Sequence, residues 1–288
     1  MFRAMCLSLA FILGSPALAQ LPVKSYGQEL VDQLVAKTPS LLVVAIHAPA
    51  PNMAGYPIVA SNIGRYGKPA DEDDMRVVNT EKPNLEVAHG GTRFEVELVL
   101  RDLTGSNIGA LGLVFRFKAG DSQAALEKKA TEIRDALAKR IMNAANLTEP
   151  YPYEPLATTK MHAQKLVDAT LARHPELIVL AMHVTLPKSQ DNVIVASNFG
   201  RIGKKADADD MKVIDSGVPV AGVSGDRKRY AVALPLHDAS GKTIGELSVG
   251  FRYRSGDDEK ALLAQADKVR DELQKSIPSV EDLTELDP

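Results

Sequence analysis

Apolar positions along this chain follow two rhythms, and each occurs twice. Leu41-Leu42-Val43-Val44-Ala45-Ile46 is a nearly unbroken apolar run that ends at His47. A run of that length predicts a buried strand. The loop Ala48 to Pro57 is rich in proline, and Ile58 to Asn62 predicts a second strand. Phe94, Val96, Leu98 and Leu100 alternate with Glu95 and Glu97, the period of a strand with one face inward. Asp102-Leu103-Thr104-Gly105 supplies turn chemistry before the apolar stretch Ile108 to Phe117, so these last two strands predict a hairpin. Helical spacing frames them. A short amphipathic helix is predicted over Gln28 to Ala36 and a helical turn or two over Asp71 to Val78. A closing helix places Leu126, Ala130, Ile133, Leu137 and Ile141 on one face.

The whole pattern then recurs. Leu177-Ile178-Val179-Leu180-Ala181-Met182-His183 repeats the run that ends at His47, 136 residues on (183 − 47). The same offset carries Asn62 to Asn198, Arg65 to Arg201, Asp74 to Asp210, Asp102 to Asp238 and Phe115 to Phe251, without a gap from Gln28/Gln164 to Ile141/Ile277. A period this long is a domain duplication rather than a solenoid. The expected organisation is one domain over 26–146, a Pro-rich connector over 147–160 and a second domain over 161–282, with a loose acidic tail. Antiparallel strands with helices before, within and after them make each copy α+β.

The first nineteen residues change the picture of compartment. Arg3, the apolar stretch Cys6 to Leu13 and the small residues Ala17-Leu18-Ala19 stand in the order of a secretory signal peptide. The expected product is periplasmic or secreted, with no membrane span after signal removal. Cys6 is the only cysteine, so the expected mature chain has neither disulfides nor thiolate chemistry. Net charge is −3 and there is no basic stripe, which argues against a nucleic-acid partner.

Two stretches carry a resemblance. Ile194-Val195-Ala196-Ser197-Asn198-Phe199-Gly200-Arg201-Ile202-Gly203-Lys204-Lys205-Ala206-Asp207 resembles the middle of an extracytoplasmic Cache (PAS-like) sensor domain, and Leu234 to Val249 resembles its closing hairpin. The first copy matches through Ile58 to Asp71 and Leu98 to Leu113. The resemblance covers most of both copies and implies two repeated PAS/Cache-like domains, each an antiparallel sheet with flanking helices. Cache domains usually sit between the membrane helices of a receptor or kinase. Neither membrane helices nor an output domain is found here, so the resemblance implies small-ligand binding rather than direct signalling.

The densest polar block shared by the copies runs from Ser61 to Met75, with its twin from Ser197 to Met211. Arg65 and Lys68, with Arg201 and Lys204, suit a carboxylate or phosphate, and Asn62 and Asn198 suit its orientation. Asp74 and Asp210 join this ligand-binding set, although Asp71 with Asp74 reads equally as a helix capping box. His47 and His183 end their strands, where an imidazole binds an anion, a metal or haem iron, or simply takes a hydrogen bond. Arg116 and Arg252 lie opposite the phenylalanines of the last strand. The expected arrangement is a recognition floor of His47, Asn62, Arg65 and Lys68 under a lid formed by Ala48 to Pro57.

No nucleophile elbow, phosphate loop or calcium loop is present, and no second histidine lies at metal-ligand spacing from His47 or His183. The expectation is therefore a non-enzymatic binding protein that captures a small anionic or amino-acid-like ligand for sensing or uptake. A membrane receptor or sensor protein would be its downstream partner, and no cofactor is assigned. The second reading is a periplasmic protein that handles iron, haem or another metal.

Overall fold

The computed structural model describes residues 24–154, 157–187, 189 and 191–286; the expected signal peptide lies outside them. The first copy runs α1 (Tyr26–Lys37), β1 (Leu41–His47), β2 (Ile58–Ser61), α2 (Glu72–Thr80), β3 (Asn84–Ala88), β4 (Arg93–Arg101), β5 (Asn107–Arg116) and α3 (Gln123–Ala138). The second runs α4 (His162–Arg173), β6 (Leu177–Thr185), β7 (Asn192–Ser197), α5 (Ala208–Ser216), β8 (Val220–Val223), β9 (Arg229–His237), β10 (Thr243–Arg252), α6 (Glu259–Gln274) and α7 (Val280–Leu283). Each copy builds one five-stranded antiparallel sheet, in the order β2-β1-β5-β4-β3 and β7-β6-β10-β9-β8. With helices flanking both sheets, the molecule is α+β and consists of two domains of one topology.

Alternation decides which face of each sheet is which. Phe94, Val96, Leu98 and Leu100 of β4 turn inward with Leu111, Leu113 and Phe115 of β5. Together with α1 and α3 they close the first core, and Val232, Leu234, Val249 and Phe251 do the same in the second. The opposite, outer face carries α2 in the first domain and α5 in the second. Both helices start in the same way. Asp71 caps α2 and Asp207 caps α5, and Asp74 and Asp210 return the bond to the cap residue's N–H. Each capping box satisfies amide groups that the first helical turn leaves open.

Three features differ from the sequence expectations. The edge strands β3 and β8 had no clear signal. They are short and paired on one side only, and Leu85 and Val87 remain 40% and 41% exposed. The tail expected to be loose is ordered: α7 follows Ser279, Leu283 is buried, and Leu286 bridges to Met161. The connector also begins later than expected. A 3₁₀ turn at Ala144–Thr148 buries Leu147 in the first core, and Ser25 bridges to Pro150. The duplicated unit therefore reaches from Ser25 to Pro150 and from Met161 to Leu286, still with the 136-residue offset (161 − 25).

A third apolar cluster joins the domains. Leu103 and Met142 of the first domain pack on Val179, Ala181, Ile194, Phe199 and Ile202, on the outer side of the second sheet. Polar contacts ring this cluster. The Arg201 guanidinium grips Glu149 with two bonds of 2.9 and 2.7 Å, and Asn146 donates to the Phe199 carbonyl at 3.2 Å. Arg252 donates to the Leu103 carbonyl at 3.1 Å. Arg201→Ala should lower stability by about 1.5–3 kcal/mol, the usual size of a lost charge-assisted pair. Its twin substitution Arg65→Ala should cost less than about 0.5 kcal/mol, as at an uninvolved surface site. Urea denaturation of both variants checks the contrast.

Candidate functional site

Both strand-end histidines lie on the outer face, where alternation from the inward Ile46 and Met182 puts them. The register shifts between Ile46 and His47 in β1 and between Met182 and His183 in β6. The strand on the other side of each histidine approaches closely at a glycine. A β-carbon on Gly109 would lie 1.9 Å from the His47 carbonyl oxygen, and one on Gly245 would lie 1.8 Å from that of His183.

From this common frame the two copies diverge. In the first, the imidazole is satisfied: Nδ1 lies 3.1 Å from the Tyr56 carbonyl and Nε2 lies 3.4 Å from Asp74 Oδ2. The position paired with His47 across the sheet is Ala110. In the second copy the paired position is Glu246. Its carboxylate is completely buried and, among the described residues, takes a hydrogen bond only from the Ser248 hydroxyl. His183 is 5% exposed, and its Nδ1 has no hydrogen-bond partner among the described residues. That nitrogen faces Asp210 at 3.8 Å, while Nε2 faces Glu246 at 3.7 Å. One ligand atom from each of His183, Asp210 and Glu246 falls within 4.8 Å of the others.

Charge sharpens the difference. Burial, reinforced by Asp210 and Asp207, pushes the Glu246 carboxyl well above its ordinary range. Burial lowers the His183 imidazole against the pull of Asp210 and Asp207, and Lys204 lowers it further. An acid this deeply buried beside a second acid needs a cation or a proton. The first domain keeps one half-buried acid on its outer face too, but on β4. Burial, with the negative charges of Asp74, Asp71 and Asp73, pushes Glu97 up to about 7 despite a 3.0 Å bond from Asn84.

The residues singled out from the sequence do not form one floor. Asn62 spends its amide within the sheet, accepting from Val44 N–H and donating to the Leu42 carbonyl. Asn198 does the same to Leu180 and Ile178, and also donates to the Lys139 carbonyl. These asparagines pin strands instead of orienting a ligand. Arg201 is committed to Glu149 at the domain junction. Arg65 points to solvent, and Lys68 makes an exposed 3.5 Å pair with Asp71. Lys204 is half-buried. What does converge is His47 with Asp74, and His183 with Asp210. The loop from 48 to 57 meets His47 through the Tyr56 carbonyl rather than covering a floor of all four residues.

Glu246 escaped sequence reading because strand alternation assigns it to the outer face, where an acid is ordinary. The available signal was the broken repeat: glutamate stands where the first copy has Ala110. A separate cleft of about 970 Å³ lies where the domains meet, bordered by Lys37, Lys139, Arg140 and Arg252 among others. Of the residues chosen from the sequence, Asn198 and Arg252 line it. Among the described residues no helix is long and apolar enough to cross a membrane.

No protein-family profile matches this chain, and no curated protein matches it. Among solved structures, an RNA-binding light-oxygen-voltage receptor aligns over 80% of this chain and 98% of its own, at 11% identity and a TM-score of 0.19. The sheet order and the duplication define the class: a protein of two tandem α+β domains, each a five-stranded antiparallel sheet with flanking helices.

Two outcomes follow. Below about 7 the folded state holds a proton on Glu97 that the unfolded chain has already released, so this residue makes stability fall as pH rises from 4.5 to about 7. Glu97→Gln should flatten that decline and leave the variant more stable than the parent at pH 8, as read by urea denaturation across pH. Gly245→Ala should cost roughly 1–3 kcal/mol or more, because its β-carbon meets backbone that cannot turn aside. The same measurement at one pH checks it.

Proposed function

We propose that this protein is an exported binding protein of two Cache-like domains, and that its second domain holds a divalent metal ion between His183, Asp210 and Glu246. The observation that carries this reading is the buried His183 imidazole, partnerless at Nδ1 among the described residues and set between the carboxylates of Asp210 and Glu246. Buried polar groups in folded proteins are nearly always paired, and a cation would satisfy all three side chains at once. Ligand atoms 2.0–2.2 Å from a tetrahedral ion sit roughly 3.3–3.6 Å apart. One ion takes one ring nitrogen, and with that choice an atom from each of the three side chains lies within 4.8 Å of the others, so the side chains draw inward to close on an ion. One imidazole with two carboxylates suits zinc, manganese or ferrous iron rather than a soft ion such as Cu(I). Three protein ligands leave positions for water or a small anion, which favours capture or delivery over structural locking. Asp210 is the member that solvent reaches, its side chain being 22% exposed.

A second reading rests on the interdomain cleft. Lys37, Lys139 and Arg140 give it a positive border suited to an organic anion, the ligand class expected from the sequence. The two sites are far enough apart in residue content to be tested separately.

Protein stripped with chelator should bind one equivalent of zinc, manganese or ferrous iron per chain by calorimetry. At metal one hundred times Kd, thermal unfolding should report about 2.7 kcal/mol of added stability. Glu246→Ala should weaken binding more than about tenfold, which corresponds to 1.4 kcal/mol. Without metal the same variant should be no less stable than the parent, because it removes a buried acid. His47→Ala should leave metal binding unchanged. Equal binding by parent and Glu246→Ala would remove the site, and binding of organic anions that is lost on Lys139→Ala would favour the cleft.

A further inference from the structure

Inside the chain, the end of the first domain is seated on the outer side of the second. Phe199 and Ile202, 4% and 1% exposed, form the seat with Arg201, and Leu103, Met142 and Glu149 fill it. The duplication places the same seat on the first domain, where the described residues leave it uncovered. Phe199 corresponds to Ile63 and Ile202 to Tyr66, which are 42% and 63% exposed, and Arg201 corresponds to the exposed Arg65.

The uncovered seat already has the conformation of the covered one. Gly64, Arg65 and Gly67 have φ of 73°, 65° and 82°, and Gly200, Arg201 and Gly203 have 75°, 61° and 83°. Asn62 holds the loop to the sheet as Asn198 does, and lacks only the bond that Asn198 gives across the junction to Lys139. No ordering of this loop is needed to receive a partner, which removes one cost of association.

The matching plug is also present, at the end of the second domain. Glu285 and Asp282 stand where Glu149 and Asn146 stand in the first, and the bridges Ser25–Pro150 and Met161–Leu286 hold the two closing segments alike. Glu285 is exposed, and Leu286 is 61% exposed. The charges are complementary: Arg65 and Arg116 on the seat, and Glu281, Asp282 and Glu285 on the plug.

We infer that the chain associates with a second copy of itself head to tail, the second domain of one copy seating on the first domain of the next in the geometry of the intrachain junction. Arg65 then takes Glu285 of the second copy as Arg201 takes Glu149. The contact is weaker than its intrachain original. Ala239 and Pro278 replace Leu103 and Met142, and no connector raises the local concentration. Because the seat and plug are different surfaces, the contact leaves a free seat and a free plug at the ends, so association continues past a dimer.

Sedimentation velocity over a concentration series of the mature protein tests this. The parent should show an average mass that climbs with concentration beyond that of two copies, and more steeply at low salt. Arg65→Glu alone and Glu285→Arg alone should each remain monomeric at the highest concentration, with unfolding midpoints like the parent's. The two substitutions together on one chain should restore association. A parent that stays monomeric throughout would overturn the inference. So would a parent that stops at a closed dimer, or single variants that associate as the parent does.

Discussion

The docking of the first domain onto the outer side of the second sheet is the constraint that sets the surfaces of the two copies apart. It takes a face that is half-open in one copy and closes it in the other. Val43 and Ala45 are half-buried in the first domain, whereas their counterparts Val179 and Ala181 are buried, Ala181 completely. His183 is the next outward residue on that strand. The place it occupies is shut from water in both copies: His47 is 4% exposed and Ala110 fully buried in the first, as His183 at 5% and the fully buried Glu246 are in the second. The same glutamate in solvent would be an ordinary surface acid. Here it becomes a buried charge that needs a counterpart.

The two copies share a frame and differ in where each keeps its acid. Both retain the bulge, the histidine and the capping aspartate. The first copy carries Glu97 on β4 and Ala110 on β5, while the second carries Ala233 and Glu246 at the matching places. In the first copy the histidine's needs are met by Tyr56 and Asp74, and Glu97 bonds Asn84 at the sheet edge. In the second, the acid sits directly across from the histidine. A one-strand shift of a single carboxylate thus separates a settled hydrogen-bond arrangement from an unsettled one built on the same backbone.

Much of the fold was legible because alternation and helical spacing report burial directly. The β4 and β5 hairpin, the closing helices and the capping boxes all follow from that rule. The edge strands did not, since a strand paired on one side needs little apolar character, as Leu85 and Val87 show. The domain limits were misplaced for a related reason: Pro150 and its neighbours look like a connector, yet Leu147 and Glu149 are held by contacts distant in sequence. The candidate site was legible only in part. The sequence located His183 and Asp210 through their repetition. It obscured Glu246, because the deciding fact was the cross-strand register that pairs it with His183.

The polar block also shows that a structural role and a chemical role can fall to one atom. Asp74 Oδ2 accepts the Asp71 N–H at 3.0 Å and faces His47 at 3.4 Å, and Asp210 Oδ2 accepts the Asp207 N–H at 2.9 Å while facing His183 at 3.8 Å. The capping box therefore fixes where the aspartate sits relative to the histidine, and the helix need not be remodelled for the carboxylate to serve a second partner. Holding an acid at the start of a helix is favoured by the helix's own dipole. A cation there is opposed by the same field, so one carboxylate would not suffice. Adding Glu246 from the sheet beneath supplies the missing negative charge in the second domain, and its absence from the first leaves that domain with a histidine–aspartate pair and no comparable demand for an ion.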